Sequence, residues 1–160
     1  MPRQDTKLES EGAEFLVLGQ LLIEGIPAYK SYSNSPRYDL VATWPETNRS
    51  ARIQVKSRWA TGDTAFPIKN IDCDFVVLVR LNRGYRSIGV AKRDSPPTAP
   101  EYYVLAAHEA NKLLKDRGRF SYIRLYKKDK ATFERDHRRR WDKIQVFLEV
   151  SEKRKTLKAK

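Results

Sequence analysis

"YDLVATWPETNRSARIQVKSRW", residues 38–59, reads as two strands joined by a turn, and its reading decides the fold. "PETNRS" (45–50) is a cluster of turn formers between two apolar, β-branched runs, the pattern of a hairpin. Side chains two apart on a strand share a face. Gln54 and Lys56 therefore point one way, and Ile53 and Val55 the other. On the first strand Asp39 and Val41 share a face, with Leu40 and Ala42 opposite. Pairing Asp39 with either Gln54 or Lys56 centres the turn inside 45–50, so both registers are open, and either brings the three polar residues within cross-strand reach.

Upstream lies a helix. Thr6 and Glu9 form a T-x-x-E capping box, and Phe15, Leu18, Leu21 and Leu22 follow at helical spacing until Gly25 and Pro27 end the run. Leu16, Val17 and Ile23 make its second half apolar almost all round. Such a helix is buried on two sides or packs against another subunit. "PAYKSYS" (27–33) is a strand between this helix and the hairpin.

Downstream, "CDFVVLVRLN" (73–82) is a buried strand, which "YRSIGVAKR" (85–93) is expected to pair across "RG". "EYYVL" (101–105) is a short strand and "AHEANKLLKDRG" (107–118) a helix closed by Gly118. "FSYIRLYKK" (120–128) alternates as a strand. From 131 on, one helix is expected, with Trp141, Ile144 and Phe147 or Leu148 on a single face. The fold class is α/β, an N-terminal helix on a mixed central sheet with further helices. The expected organisation is one domain over 1–150 and a basic tail over 151–160.

The chain has 160 residues and a formal net charge of +12, an imbalance that calls for an anionic partner. The charge is spread over strands and turns rather than gathered on one amphipathic helix, which favours nucleic acid over a membrane surface. No stretch approaches the roughly 20 apolar residues of a membrane span. The single cysteine, Cys73, has no partner for an internal bridge and reads as a small buried hydrophobe, in keeping with a cytoplasmic location. His108 and His137 lack a second His or Cys at metal-ligand spacing, which argues against zinc. Tyr102, Tyr103, Tyr122 and Tyr126 alternate with apolar positions and read as core.

The hairpin cluster has chemical content. A carboxylate beside oxygen ligands suits Mg²⁺, which keeps several waters and takes few protein ligands; Mn²⁺ is an alternative. Asp39, Gln54 and the backbone carbonyl of Val55 are the candidate ligands. Lys56 beside them is placed to orient a water and neutralise phosphate charge. The plainer alternative is an Asp39–Lys56 surface salt bridge with Gln54 as a polar neighbour. Candidate DNA contacts are Asn34, Ser35 and Arg37 in the loop before Asp39, Arg58 after Lys56, and Arg138, Arg139 and Arg140 in "RDHRRRWDK" (135–143).

"YD" at 38–39 followed by Gln54-Val55-Lys56 resembles the active-site signature of the PD-(D/E)XK nucleases, most closely the small group I intron homing endonuclease type, which has Gln in place of the second acid. The resemblance covers roughly the first third of the chain. It departs from the motif's name at Tyr38, where the Pro is replaced, and in the short segment between Trp59 and Phe75. It implies a restriction-endonuclease-like core and Mg²⁺-dependent hydrolysis of double-stranded DNA. One site cuts one strand, so cutting both calls for a homo-oligomer, at least a dimer, with the apolar first helix as a candidate interface. The resemblance also implies a catalytic glutamate on the first helix, at the offset from Gly25 occupied by Glu14, with Glu11 one turn earlier as second choice. A Holliday junction resolvase-like enzyme and a non-catalytic DNA-binding module on the same fold are the alternatives.

Overall fold

A computed structural model describes residues 5–32, 37–84, 96–116, 118–126 and 129–150. The chain opens with α1 (Thr6–Ile23), then β1 (Ala28–Lys30), β2 (Leu40–Trp44), β3 (Arg49–Arg58), β4 (Ala65–Pro67), β5 (Phe75–Arg80) and β6 (Glu101–Ala106). There follow α2 (Ala107–Leu113), β7 (Leu114–Lys115), β8 (Tyr122–Arg124), α3 (Lys130–His137) and α4 (Asp142–Glu149). Five strands form a mixed sheet in the order β1-β2-β3-β5-β6, antiparallel except for the β3–β5 pair. A smaller antiparallel sheet has the order β4-β8-β7. The α/β class expected from the sequence, an N-terminal helix packed on a mixed central sheet with further helices, is the fold observed.

The hairpin forms as expected. β2 and β3 pair with Leu40 opposite Ile53 and Trp44 opposite Arg49, which selects the Asp39–Gln54 register over the Asp39–Lys56 one. Asn48 turns the corner at φ 54°, a left-handed conformation that Asn tolerates better than most residues. β5 is apolar on both faces because both are covered. Val77 and Val79 face α1 and α4 through Val17, Leu21, Trp141 and Ile144. Val76 and Leu78 face the small sheet through Phe66 and Ile123, and Phe133 of α3 packs into the same cluster. Gln54 and Lys56 stand beside Val76 and Leu78 in the β3–β5 register, so they share the face towards the small sheet.

Several expectations are corrected. The N-cap of α1 is Asp5 rather than Thr6: its carboxylate accepts from the Lys7 and Leu8 N–H groups, which leaves Thr6 as the first helical residue. At the other end Gly25 (φ 76°) and Ile26 donate to Leu22 and Leu21 carbonyls in a Schellman closure. α1 is buried on one side only, through Ala13, Val17 and Leu21; Leu8, Phe15, Leu16, Leu22 and Ile23 are exposed. α2 stops at Leu113 instead of running to Gly118, because Leu114 and Lys115 are drawn into pairing with β8.

The single C-terminal helix is two. Arg138 leaves the helical path to bridge Tyr103, the Arg139 N–H donates to the Tyr102 carbonyl, and Arg139 takes φ 51°. The edge of β6 has unpaired backbone groups, and satisfying them outweighs continuing the helix. The pairing expected for 85–93 lies outside the described residues, as does the 151–160 tail; β5 has β3 and β6 as its neighbours. Among the described residues no helix is long and apolar enough to cross a membrane. Cys73 is buried, and burial pushes its thiol up to about 11, so it stays protonated at neutral pH.

Candidate active site

β2 ends where the site begins. The Asp39 N–H donates to the Ile53 carbonyl at 2.9 Å, and its Oδ2 accepts the Val55 N–H at 2.7 Å. A short acid at this bend replaces the missing main-chain acceptor of the neighbouring strand. Backbone groups two apart on a strand point the same way, so the Val55 carbonyl also faces the side where β2 has stopped. Among the described residues Asp39 Oδ1 has no hydrogen-bond partner, and no ion pair within 4 Å joins Asp39 to Lys56. The salt-bridge alternative is therefore absent from this conformation.

α1 brings Glu14 to the same place. Glu14, Asp39, Val55 and Lys56 line one hollow of about 520 Å³. The Asp39 carboxyl is held above the usual carboxylate range by burial, partly offset by the Val55 N–H and by the charge of Lys56. Glu14 is also raised, chiefly by burial, against the opposing hydrogen bond from Lys30; Asp39 adds repulsion. Burial is thus the main reason that both acids at this hollow disfavour their charged forms, and Lys30 and Lys56 offset it in part.

Lys30 is the residue that sequence reasoning missed. It is only 8% exposed, and its Nζ pairs with Glu11 and, at 2.9 Å, with Glu14, while lying over the Phe15 ring. Burial works against its charge, but the two glutamates outweigh that and hold its pKa above the ordinary value. Both expected helix acids, Glu11 and Glu14, are engaged by this one cation. The available signal was a lysine on the strand face shared with Ala28, next to a helix bearing acids one turn apart.

Gln54 opens to the other side. It lines a second cleft of about 820 Å³ together with Arg37, Lys56 and Arg58; Lys56 and Arg58 line both hollows, which meet there. Gln54 is buried, and its Oε1 has no hydrogen-bond partner. An orphaned buried carbonyl is costly, and a water or a cation is the kind of partner that satisfies it. Among the described residues no cluster of three or more His, Cys, Asp or Glu is disposed to hold a metal. The oxygens that flank the meeting point of the two hollows are of another kind: the Asp39 carboxylate on one side and the Gln54 amide oxygen on the other. Both are hard oxygens of the type a divalent cation such as Mg²⁺ takes.

The expected DNA contacts divide. Arg37 pairs with Asp72 at 2.6 Å and Arg58 with Asp63 at 2.5 Å, both at the second cleft or its rim. Asn34 and Ser35 lie outside the described residues. Arg138 and Arg139 border a separate hollow with Arg80 and Glu101. Arg138 pairs with Glu134 and Glu101, and Arg140 pairs with Asp142.

No protein-family model and no curated protein matches the sequence. Among solved structures the fold is similar to "The structure of a bacterial homing endonuclease: I-Ssp6803I", with a TM-score of 0.57 and 22% identity over 89% of this chain and 94% of that one. That likeness establishes a shared fold that spans nearly the whole of both chains.

Proposed function

We propose that this chain is a metal-dependent endodeoxyribonuclease of the homing or restriction type, which hydrolyses phosphodiester bonds of double-stranded DNA with Mg²⁺ or Mn²⁺. The observation that carries the reading is the corner between the two hollows. There Asp39 and Glu14 lie on one side, the unpartnered Gln54 Oε1 on the other, and Lys56 lines both. The similarity of fold to a bacterial homing endonuclease supports it. In this reading Asp39, Gln54 and the Val55 carbonyl hold the cation, and Glu14 acts on it through water. The bound ion supplies Lewis acidity and a lowered pKa for water. Lys56 neutralises the phosphate and orients the attacking water, and the Val55 N–H keeps the Asp39 carboxylate aimed. Residues 1–150 act as the nuclease domain, in the cytoplasm. The exposed apolar side of α1 is the proposed contact of a homo-oligomer, which cutting both strands requires when each site cuts one.

A second reading, a non-catalytic DNA-binding module, is favoured by Lys30, which already neutralises both helix glutamates, and by the weaker ligand Gln54. A junction resolvase differs only in substrate. Cleavage of plasmid, four-way junction and single-stranded DNA, with and without Mg²⁺ or Mn²⁺, separates them. Cutting of duplex plasmid upholds the first reading, junction-only cutting selects the resolvase, and tight binding without cutting leaves the module.

A further inference from the structure

The cleft on the Gln54 side has a far wall that the nuclease chemistry does not use. β4 and β8 pair with Pro67 opposite Tyr122, and the Ile68 N–H donates to the Ser121 carbonyl at 3.0 Å. Continued one residue further, this register sets Lys69 beside Phe120, with Arg119 next to it. All three line the cleft across from Gln54 and Lys56. The tip is braced: Asp116 Oδ1 accepts the Gly118 N–H at 2.9 Å and the Ser121 hydroxyl at 3.1 Å, and Gly118 turns at φ 70°. Phe120 is 76% exposed, an apolar ring between two cations on a braced turn.

Arg37 and Arg58 of this cleft are paired with Asp72 and Asp63, but its other cations are not compensated. Among the described residues, Lys56, Lys69 and Arg119 have no acid within ion-pair distance. The one acid in the lining, Asp72, is already shared by Arg37 and Arg52. A wall of unpaired cations with a projecting aromatic ring matches the phosphate backbone of a nucleic acid together with its sugar or base faces.

We propose that Arg119 and Phe120, just before β8, form a DNA grip together with Lys69, just after β4: Lys69 and Arg119 contact the phosphates of a strand that runs past Lys56, and Phe120 packs on that strand's sugar or base. The choice of duplex DNA as the occupant rests on the nuclease reading; the grip itself rests on the cleft. Holding the strand from the side opposite the catalytic corner fixes its distance from Lys56, and positioning of this kind accelerates phosphodiester chemistry.

The test measures binding of a mixed-sequence duplex as a function of salt in the Asp39→Asn protein, so that substrate is not consumed. Lys69→Gln and Arg119→Gln should each weaken binding severalfold and reduce the log–log salt slope by about 0.9. Phe120→Ala should weaken duplex binding by about fivefold or more without changing the slope, and should leave binding of inorganic polyphosphate unchanged. All three residues are exposed, and circular dichroism and the unfolding midpoint verify that the variants stay folded. An unchanged affinity and slope in the Lys69→Gln/Arg119→Gln double variant overturns the grip, even where the wild type cuts DNA. Conversely, a wild type that cuts nothing but loses the predicted slope in these variants keeps the grip and rejects the nuclease.

Discussion

Arg138 and Arg140 each end on an acid of their own chain, whereas Lys56, Lys69 and Arg119 line an open cleft and, among the described residues, pair with no acid. By sequence the arginine run at 138–140 is the densest positive charge in the described chain and the obvious candidate for DNA. In the fold the guanidinium groups of Arg138 and Arg140 brace α3, α4 and β6, and part of the run's charge is spent before any partner arrives. The cleft cations are scattered over three segments, and only folding gathers them. Local density of like charge is therefore a poor guide to binding. What matters is whether the fold supplies a counter-ion.

The comparison breaks most visibly at Lys56. Lys56→Ala and Asp39→Asn should each lower cleavage by about a hundredfold or more, without abolishing DNA binding and with little change in thermal stability. Loss of stability in step with activity would place Lys56 among the structural cations instead. Gln54→Glu restores an acid at the orphaned oxygen and is expected to retain cleavage while shifting the preference between Mg²⁺ and Mn²⁺; kinetics in each metal measure this.

Lys30 sharpens the contrast, because it is buried and fully paired. Lys30→Met leaves Glu11 and Glu14 facing each other with no cation between them. It should destabilise the fold by about 3 kcal/mol, the low end for breaking a buried pair, since Glu11 is half-exposed. Urea unfolding reads this out, and a change below about 0.5 kcal/mol would fit a surface pair instead.

A smaller effect concerns pH. Asp39 and Glu14 have raised pKa values, so the folded chain holds their protons more tightly than the unfolded one does. Their ionisation therefore costs stability as pH rises from the ordinary carboxylate value through the raised one. On the proposed metal-dependent reading, Mg²⁺ bound at Asp39 would offset that cost. The increase in unfolding midpoint on adding Mg²⁺ should grow with pH across this window and largely vanish in Asp39→Asn. A rise of equal size in the variant would remove Asp39 from the ligand set.

The smallest effect belongs to the arginine run. Replacing Arg138, Arg139 and Arg140 together with Ala should weaken binding to all DNA sequences about equally, and by less than the Lys69→Gln/Arg119→Gln double variant. A larger loss from the run than from the cleft would reverse the comparison.

How much of this was legible in the chain follows from the range of the interactions. The hairpin, its turn and the face shared by Gln54 and Lys56 are set by alternation and turn chemistry within about twenty residues, and both strands formed where they were read. The helix closure at Gly25 is equally local, because only a residue at ease with positive φ fits there. The N-cap was misplaced by one residue, since Asp5 and Thr6 both qualify and geometry decides between them.

Tertiary structure decided the rest. The break at 138–140 arises because β6 is an edge whose carbonyls and N–H groups need partners, and no local pattern in "RDHRRRWDK" reveals that edge. The short α2 is set by β8, which takes Leu114 and Lys115 into its own ladder. Lys30 became the counter-ion of two helix acids, and Lys69 and Arg119 became neighbours, only when separate segments were packed together. Periodicity along the chain determines which way a side chain faces. Which charge meets which is determined by contacts between residues far apart in sequence, and these exist only in the folded state.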